Sequence, residues 1–430
     1  MILYQHLKIF LIDFSVFFLS NHSKMFMKKL ILLFLTGLFF ISLHAQKHPT
    51  YKGLVMAGYQ GWFNTPDDGD KRGWHHLGKV DGLKPGSCNI DLWPDVSEYS
   101  KTYSTGFYFA NAKNAHIFSS SDESTVFTHF RWMKEYGIDG VFMQRFVAEI
   151  RNPSGLSHFN KVLNSAMKAS IQYERAIPIM YDLSGMTLGE ENLVLKDIDQ
   201  LTVRFNLFDK LKCSSYLYHN NKPLICVWGI GFNDHRAYGL KEAGFIIDGL
   251  KKRGFSVMIG VPTYWRELRT DTEKDEKLHI LIKKCDIVLP WFVGRYNEKS
   301  YPVFKPLIKE DLNWSKKNHV DYVPLVFPGF SWRNMKGPNT IQIQRNKGSF
   351  LWKQISGAIE SGAEMIYVAM FDEMDEGTAI FKCVNEAPVG ESKFVTIEPG
   401  LKPDYYLWLV GEGGRMLKHK VPFSILIPYR

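Results

Sequence analysis

Four carboxylic acids crowd into five residues near the end of the chain. Asp372, Glu373, Asp375 and Glu376 directly follow an apolar stretch, residues 364–370, that has the composition of a buried strand. Crowded carboxylates raise one another's pKa, so one can keep its proton near neutral pH while another acts as a base. A proton donor beside a proton acceptor is what cleavage of a glycosidic bond requires. The run therefore predicts a catalytic pair, Glu373 and Glu376, for glycoside hydrolysis.

Alternation along the preceding strand predicts which acid faces the site. The residues expected on the inward face are Tyr367, Ala369, Phe371 and Glu373. Glu376 lies three residues further on, at most roughly 10 Å from Glu373 along the chain. That reach permits both carboxylate separations of glycosidases, about 5 Å for retention and up to about 9.5 Å for inversion, so the residues alone leave the stereochemistry open.

Besides a solvated acidic turn on the surface, two other interpretations of the acidic run stay open. Clustered carboxylates bind hard cations, so Asp372 and Asp375 could instead support a calcium-dependent hydrolase. The run lacks the spacing of a calcium loop, which favours catalysis without a metal. A barrel that binds glycans without cleaving them is the second alternative, in which the acids only contact sugar hydroxyls.

The elements that must position these acids follow a repeating pattern. Strand-like runs separated by helical segments pair in parallel, because each return crossover needs a helix's length of chain. Eight such units predict an α/β fold, a single (β/α)8 TIM barrel with its site at the carboxyl ends of the strands. Residues 64–118, rich in Gly, Asp, Pro and aromatic residues, are expected to form a long functional loop after the first strand. The predicted strands are residues 54–63, 139–146, 177–183, 223–228, 256–262, 286–291, 322–327 and 364–371.

Aromatic and polar side chains recur where these strands end, and they would line the same mouth. Sugar rings stack on aromatic side chains and offer hydroxyls to polar groups. Arg145 and Asp182 end the second and third strands. For these two, a structural ion pair between neighbouring loops is the alternative to substrate contact. The aromatic candidates for substrate binding are Tyr59, Trp62, Trp228, Tyr264, Trp291 and Trp332.

Composition gives little support for nucleic-acid or cofactor chemistry. The net charge is +9, but lysines and arginines are scattered and no nucleic-acid motif accompanies them, so no nucleic-acid partner is expected. The chain has no Walker loop, no G-x-S-x-G elbow and no HExxH motif, so no cofactor is expected either. Adjacent His75 and His76 point apart in an extended chain, which makes joint binding of a metal unfavourable.

The first 45 residues predict export. Two lysines precede an apolar run, residues 30–43, and a candidate cleavage point follows Ala45. The run is short for a membrane span, so a secreted or periplasmic protein without a span after signal removal is expected. The stretch before Met25 is interpreted as an over-called start. Residues 46–430 are then expected to form the (β/α)8 catalytic domain.

The acidic run also resembles the motif of a known glycosidase family. Residues 373–378, Glu-Met-Asp-Glu-Gly-Thr, resemble the E-W-x-E-G-T signature of glycoside hydrolase family 99, whose members are endo-α-mannosidases on (β/α)8 barrels. Residues 58–63, Gly-Tyr-Gln-Gly-Trp-Phe, and residues 136–140, Tyr-Gly-Ile-Asp-Gly, resemble that family and the related family 71 α-glucanases. Over residues 51–382 the chain is similar to the 71/99-like group, some members of which are labelled xylosidase or arabinosidase.

The resemblance implies a role for each glutamate. Glu373 matches the residue proposed to deprotonate the sugar 2-hydroxyl, and Glu376 matches the general acid that protonates the departing oxygen. It also implies retention through a 1,2-anhydro sugar. Met374 and Asp375 depart from the family pattern, which has tryptophan and often histidine there, so the sugar is not carried over. The expectation is an exported glycosidase, free of cofactors and metal, that acts on an α-linked oligo- or polysaccharide.

Overall fold

Strands and helices alternate along most of the described chain. The computed structural model describes residues 46–430, so the signal segment expected at residues 1–45 lies outside the described residues. In chain order the elements are β1 (Val55–Tyr59), β2 (Tyr103–Tyr108), β3 (Asn114–Ile117), α1 (Glu123–Tyr136), β4 (Gly140–Phe146), α2 (Val147–Ile150), α3 (Pro153–Tyr173), β5 (Ile179–Asp182), α4 (Glu191–Phe205), β6 (Tyr218–His219), β7 (Lys222–Trp228), α5 (Leu240–Lys252), β8 (Ser256–Val261), α6 (Lys277–Lys284), β9 (Ile287–Pro290), α7 (Tyr301–Lys317), β10 (Asp321–Tyr322), β11 (Leu325–Val326), β12 (Phe330–Ser331), α8 (Arg333–Lys336), β13 (Gln342–Ile343), a 3-10 turn (Asn346–Gly348), α9 (Ser349–Glu360), β14 (Ile366–Val368) and α10 (Tyr405–Leu417).

The main sheet is parallel, and one short segment links the first and last strands of its strand order. The order is β10-β9-β8-β7-β5-β4-β1-β14-β11, and β6 adds an antiparallel partner to β7. Because β10 pairs with β9 and β11 pairs with β14, residues 321–326 connect the two ends of this order. Each of the eight predicted strand segments overlaps a strand of this sheet. The expected TIM-like arrangement of parallel strands with intervening helices is therefore confirmed.

The Tyr367 side chain points into the interior that the parallel strands enclose. Its hydroxyl contacts the Met180 sulfur on β5 at 3.6 Å and the Gln144 amide on β4 at 3.4 Å, and neither strand pairs with β14. Gly58 on β1 leaves room for this packing. A Cβ there would lie 2.0 Å from Met370 Cε and 2.3 Å from the Tyr367 oxygen, so a larger residue would have to displace both side chains.

Phe371 does not share the inward face with Tyr367, so that prediction is wrong. The Phe371 ring packs on the Tyr59 ring, with centroids 5.9 Å apart, and on His129 of α1 at 5.4 Å, which places it in the helix layer. The reason is that β14 ends at Val368, and the two-residue alternation of side chains does not extend past the end of a strand.

The segment between β1 and α1 has structure of its own. Residues 60–122 include the antiparallel pair β2 and β3. The functional role expected of residues 64–118 stays a prediction. Among residues 46–430, no helix has both the length and the hydrophobicity needed to cross a bilayer.

Candidate active site

A cleft of about 420 Å³ opens where the parallel strands reach their carboxyl ends. Residues that follow β1, β5, β9 and β14 contribute to its lining, as the fold class predicts for a functional site. Most of the predicted site residues are among them. They are Trp62, Asp182, Trp228, Trp291, Trp332, Glu373 and Glu376.

Tyr59 is buried in the helix layer and does not line the cleft. Its hydroxyl forms a 2.8 Å hydrogen bond with Nδ1 of His129 on α1. Because Gly58 faces the interior, its neighbour Tyr59 must face outward. Substrate contact by Tyr59 is therefore not supported.

Arg145 is also outside the cleft, in a buried ion pair. Its Nε and Nη2 donate to the two carboxylate oxygens of Asp197 on α4 at 2.7 and 2.6 Å. The Tyr181 hydroxyl donates to the same carboxylate at 2.5 Å. Since Gln144 points into the interior, Arg145 points toward the helices. This is the structural alternative considered for Arg145, with Asp197 as the partner.

Tyr264 lies on the β8 to α6 connection and likewise does not line the cleft. It is half-buried, and the Arg269 guanidinium lies 3.7 Å from its ring centroid. Asp182, in contrast, lines the cleft and accepts the Ser184 backbone N–H at 2.7 Å. Burial raises the pKa of Asp182.

Asp372 joins the acidic run to the end of β1. Its two oxygens accept the backbone N–H groups of Gln60 and Gly61 at 2.7 and 2.9 Å. Burial raises its pKa to about 7 although these hydrogen bonds oppose the shift. Both oxygens are therefore occupied by backbone donors, an arrangement that does not favour the calcium alternative.

Glu373 is buried and faces the cleft. Gln60 donates its amide N–H to Oε1, and the Thr378 hydroxyl lies 2.6 Å from Oε2. The turn at Gly377, with φ of 65°, brings Thr378 back against Glu373, which explains the Gly-Thr pair in the motif. Burial, and then the charges of Glu376 and Asp375, raise the pKa of Glu373 well above its usual range.

Glu376 is partly buried on the same cleft. Its backbone carbonyl accepts the Ser331 N–H at 2.8 Å, which fixes the acidic run against β12. Burial, and then the charge of Asp375, raise the pKa of Glu376 to about 7, while Trp332 and Lys336 partly oppose the shift. A carboxyl with this pKa can both hold and release a proton near neutrality.

Asp375 ties the acidic run to an aromatic wall of the cleft through His76. The Asp375 carboxylate forms a 2.9 Å contact with Nδ1 of His76. The His76 ring stacks on Trp62, with centroids 3.8 Å apart and planes 3° apart. Burial raises the pKa of Asp375 to about 8 and lowers the pKa of His76 to about 3. His76 was not among the predicted site residues.

His75 and His76 converge, contrary to the expectation that they point apart. His76 has a φ of 59°, so the chain is not extended at this position. Potential ligand atoms of His75, His76 and Glu149 lie within 4.8 Å of one another. The Arg72 guanidinium contacts Glu149 and lies 2.7 Å from Nε2 of His75, so a cation already neutralises this group. The geometry is that of an ion-pair network.

Several polar residues of the cleft were absent from the predicted set. Gln60 directly follows β1, so its position relative to the strand could have identified it. Arg236 and Arg295 come from the connections after β7 and β9, whose paths no local pattern indicates. Arg236 is held by Asp234, with contacts of 2.8 and 3.0 Å.

Comparison with known proteins gives similarity in structure rather than in sequence. No protein-family model matches the chain, and no curated protein matches its sequence. The family 99 endo-α-mannosidase from Bacteroides thetaiotaomicron, in complex with bis-tris-propane, superposes with a TM-score of 0.63 at 16% identity, covering 86% of this chain and 99% of that chain. A protein described as glycoside hydrolase-like superposes with a TM-score of 0.50 at 12% identity, covering 75% of this chain and 92% of that chain.

At these identities the likeness establishes a shared fold. The resemblance to family 99 predicted from residues 373–378 is thus confirmed at the level of the fold. The finer 71/99-like grouping stays a prediction.

Proposed function

We propose that the protein is a glycoside hydrolase that cleaves an α-linked glycan, with Glu376 as general acid and Glu373 as base. The observation that carries this proposal is the presence of both carboxyls, Glu373 buried and Glu376 partly buried, on one aromatic-lined cleft at the carboxyl ends of the strands. The structural similarity to an endo-α-mannosidase supports the same class of reaction. Residues 46–430 would form the catalytic domain.

The acid role suits Glu376 because of its environment. With a pKa of about 7, raised by burial and by Asp375, Glu376 keeps a substantial protonated fraction near neutral pH. It could give that proton to the oxygen of the departing sugar and later recover it from water.

The base role suits Glu373 because its oxygens contact two hydrogen-bonding groups. Two neighbouring carboxyls repel when both are charged, so the pair shares one proton over a range of pH. The Gln60 amide and the Thr378 hydroxyl favour the negative charge on Glu373. Burial raises the pKa of Glu373 well above its usual range, so its ionised form is a strong base, and the base role requires that the shared proton lie on Glu376 when the glycan is bound.

In the retaining scheme that we propose, Glu373 takes the proton of the sugar 2-hydroxyl. The 2-oxygen bonds to the anomeric carbon while the glycosidic bond breaks, and the leaving oxygen takes the Glu376 proton. Water then opens the 1,2-anhydro sugar, as Glu376 accepts a water proton and Glu373 returns its proton to the 2-oxygen. Trp228 and Trp291, with centroids 5.0 Å apart, offer stacking surfaces for the glycan.

The test separates the two roles by the leaving group. We expect Glu376→Gln to lose about 10²- to 10⁴-fold in turnover on a glycan, and much less on an α-glycosyl fluoride, which needs no protonation. Glu373→Gln should be impaired on both. Glu386→Gln, an exposed acid outside the cleft, is the matched control. NMR of the first product anomer would show retention or inversion.

Unchanged turnover of a glycan by either cleft variant would contradict the assignment. The glycan panel should include α-mannans, α-glucans and glycans that carry xylose or arabinose. If the parent enzyme binds members of this panel and yields no products, a barrel that only binds glycans is the better account.

We also propose that residues 1–45 direct export to the periplasm or the medium. Support comes from the two lysines, the apolar run and the candidate cleavage point alone. The exported protein should begin near residue 46 when its amino terminus is sequenced. An uncleaved chain retained in the cytoplasm would contradict the proposal.

A further inference from the structure

A second cleft, of about 450 Å³, is lined by the short helix α8, and Trp332, the residue before α8, lines the candidate active site. The lining of the second cleft carries three cationic side chains and one acidic side chain. They are Lys79, Arg333, Lys336 and Glu391. We refer to this cleft as the basic groove.

The cationic side chains of the basic groove have no acidic partners. Across residues 46–430, Lys79, Arg333 and Lys336 form no ion pair, and no hydrogen bond of theirs involves the charged group. Elsewhere a lysine can pair with an acid, as Lys251 does with Asp286 at 2.7 Å. The groove therefore keeps a positive potential that a bound anion would neutralise.

The basic groove and the active-site cleft share a wall. The Lys336 amine lies 3.7 Å from the ring centroid of Trp332, and Trp332 lines the active-site cleft. The Lys336 charge also acts on Glu376, the proposed acid. A glycan that extends past Trp332 from the cleft would reach the basic groove.

Helix α8, which carries Arg333 and Lys336, is held in a fixed position. The buried carboxylate of Asp91 accepts the backbone N–H groups of Arg333 and Asn334 at 2.7 and 2.8 Å. The Asn334 side chain donates to the carbonyls of Ile90 and Lys393, each at 2.9 Å. These four hydrogen bonds attach α8 to two separate loops, so the position of the groove wall is defined before a ligand binds.

We propose that the basic groove is a subsite for an anionic group carried by the glycan, and that the substrate is therefore an acidic glycan. This inference rests on the proposed function. The anionic group is a sulfate, a carboxylate or a phosphate, because all three present several oxygens to a guanidinium and to ammonium groups. Arg333 can bind two such oxygens at once, while Lys79 and Lys336 supply point charges.

The test measures binding without turnover, in the Glu376→Gln background of the whole mature chain. The probes are oligosaccharides of α-mannan, α-glucan and arabinoxylan, each unmodified, sulfated, oxidised to uronate or phosphorylated. The groove variant combines Lys79→Gln, Arg333→Gln and Lys336→Gln. The matched control combines Lys222→Gln, Lys241→Gln and Lys309→Gln, which remove three exposed lysines without ion pairs elsewhere on the described chain.

We expect one charged form to bind about tenfold or more tightly than its neutral counterpart, because three exposed charge interactions add modest increments. The groove variant should lose this preference and keep its affinity for the neutral form. The control should retain the preference. The form that is preferred identifies the anion as sulfate, uronate or phosphate.

Equal affinity for charged and neutral forms of all backbones, or a preference that survives in the groove variant, would overturn the subsite. Equally tight binding of a single-stranded DNA oligonucleotide would also overturn it, since the groove would then be a general polyanion surface. Cleavage assays of the parent enzyme separate the two proposals. Hydrolysis without charge preference retains the proposed function and removes the subsite. Charge-dependent binding without hydrolysis retains the subsite and removes the proposed function.

Discussion

The acids at the two ends of the parallel strands have opposite environments. At the amino end, Asp286 precedes β9 and accepts hydrogen bonds from the Lys251 amine at 2.7 Å and the Val257 backbone N–H at 2.8 Å. Burial alone would raise its pKa, but these donors outweigh burial, and the pKa of Asp286 is lowered. Asp321, at the start of β10, contacts Lys52 and His219, and its pKa is lowered in the same way.

At the carboxyl end, in the part of the chain that the structure describes, no lysine or arginine forms an ion pair with an acid of residues 372–376. Within the described residues, the one ion-pair contact of this run is between Asp375 and His76, whose own pKa is lowered by burial. Burial raises the pKa of Asp372 to about 7 and the pKa of Asp375 to about 8. The same residue type thus stabilises the fold at one end and retains protons at the other, which is the division expected of this architecture.

The largest effect is expected where a charge pair is buried between sheet and helix. Arg145→Ala would leave Asp197 buried without its cation, so the free energy of unfolding should fall by about 3–5 kcal/mol. Urea unfolding measures the change. The double variant Arg145→Met with Asp197→Leu removes both charges and should recover most of the loss. An Arg145→Ala protein of normal stability with a raised KM would show instead that Arg145 contacts substrate.

A smaller effect, about 1–3 kcal/mol, should appear in the pH dependence of stability. Glu376 has a folded pKa raised to about 7, so the folded state binds more protons and stability falls as pH rises from the unfolded pKa through 7. Glu376→Gln should lessen that fall, and the raised pKa values of Asp372, Glu373 and Asp375 should account for the rest. Asp286 has a lowered folded pKa, so its contribution is present above the unfolded pKa and lost in acid. Asp286→Asn should remove the acid loss.

Unfolding in urea from about pH 3 to about pH 8 measures how the free energy of unfolding changes with pH, for both acids. Lys251→Met is a control for the second, because it removes the cation that lowers the pKa of Asp286. If Glu376→Gln and Asp286→Asn change the pH profile of stability in the same direction, the acids at the two ends of the parallel strands do not differ as described.

The sequence predicted what depends on local pattern. Strand segments, their parallel order and the placement of the acidic run follow from periodicity and from the length of the crossovers. The same alternation could have predicted that two of the proposed site residues lie outside the cleft. Gly58 and Gln144 face the interior, so their neighbours Tyr59 and Arg145 face the helices.

What the sequence did not predict depends on loop paths. His76 reaches both Trp62 and Asp375 because its φ is 59°, a conformation that no hydrophobic pattern encodes. Arg295 enters the cleft from the connection after β9, and its position depends on tertiary packing. The sequence also did not predict that β14 ends at Val368, since apolar residues continue to Phe371.

The smallest effect is expected at the contact between the acidic run and the aromatic wall. His76→Phe keeps a ring on Trp62 and removes the hydrogen bond to Asp375, so stability should change by about 1 kcal/mol. Because Asp375 has a pKa of about 8 and His76 a pKa of about 3, the hydrogen bond near neutral pH joins a protonated Asp375 to a neutral imidazole. Without this acceptor Asp375 ionises at lower pH and repels the charged form of Glu376 more. The basic limb of the pH profile of kcat/KM should therefore move to higher pH.

His76→Ala is the matched variant, because it loses the ring stack as well as the hydrogen bond. It should show the same shift of the basic limb together with a raised KM, since Trp62 lines the cleft and would lose its support. If His76→Phe leaves the pH profile unchanged while His76→Ala moves it, the stack of His76 on Trp62, rather than the hydrogen bond to Asp375, controls the pKa of Glu376. The acids at the carboxyl end would then be tuned by burial alone.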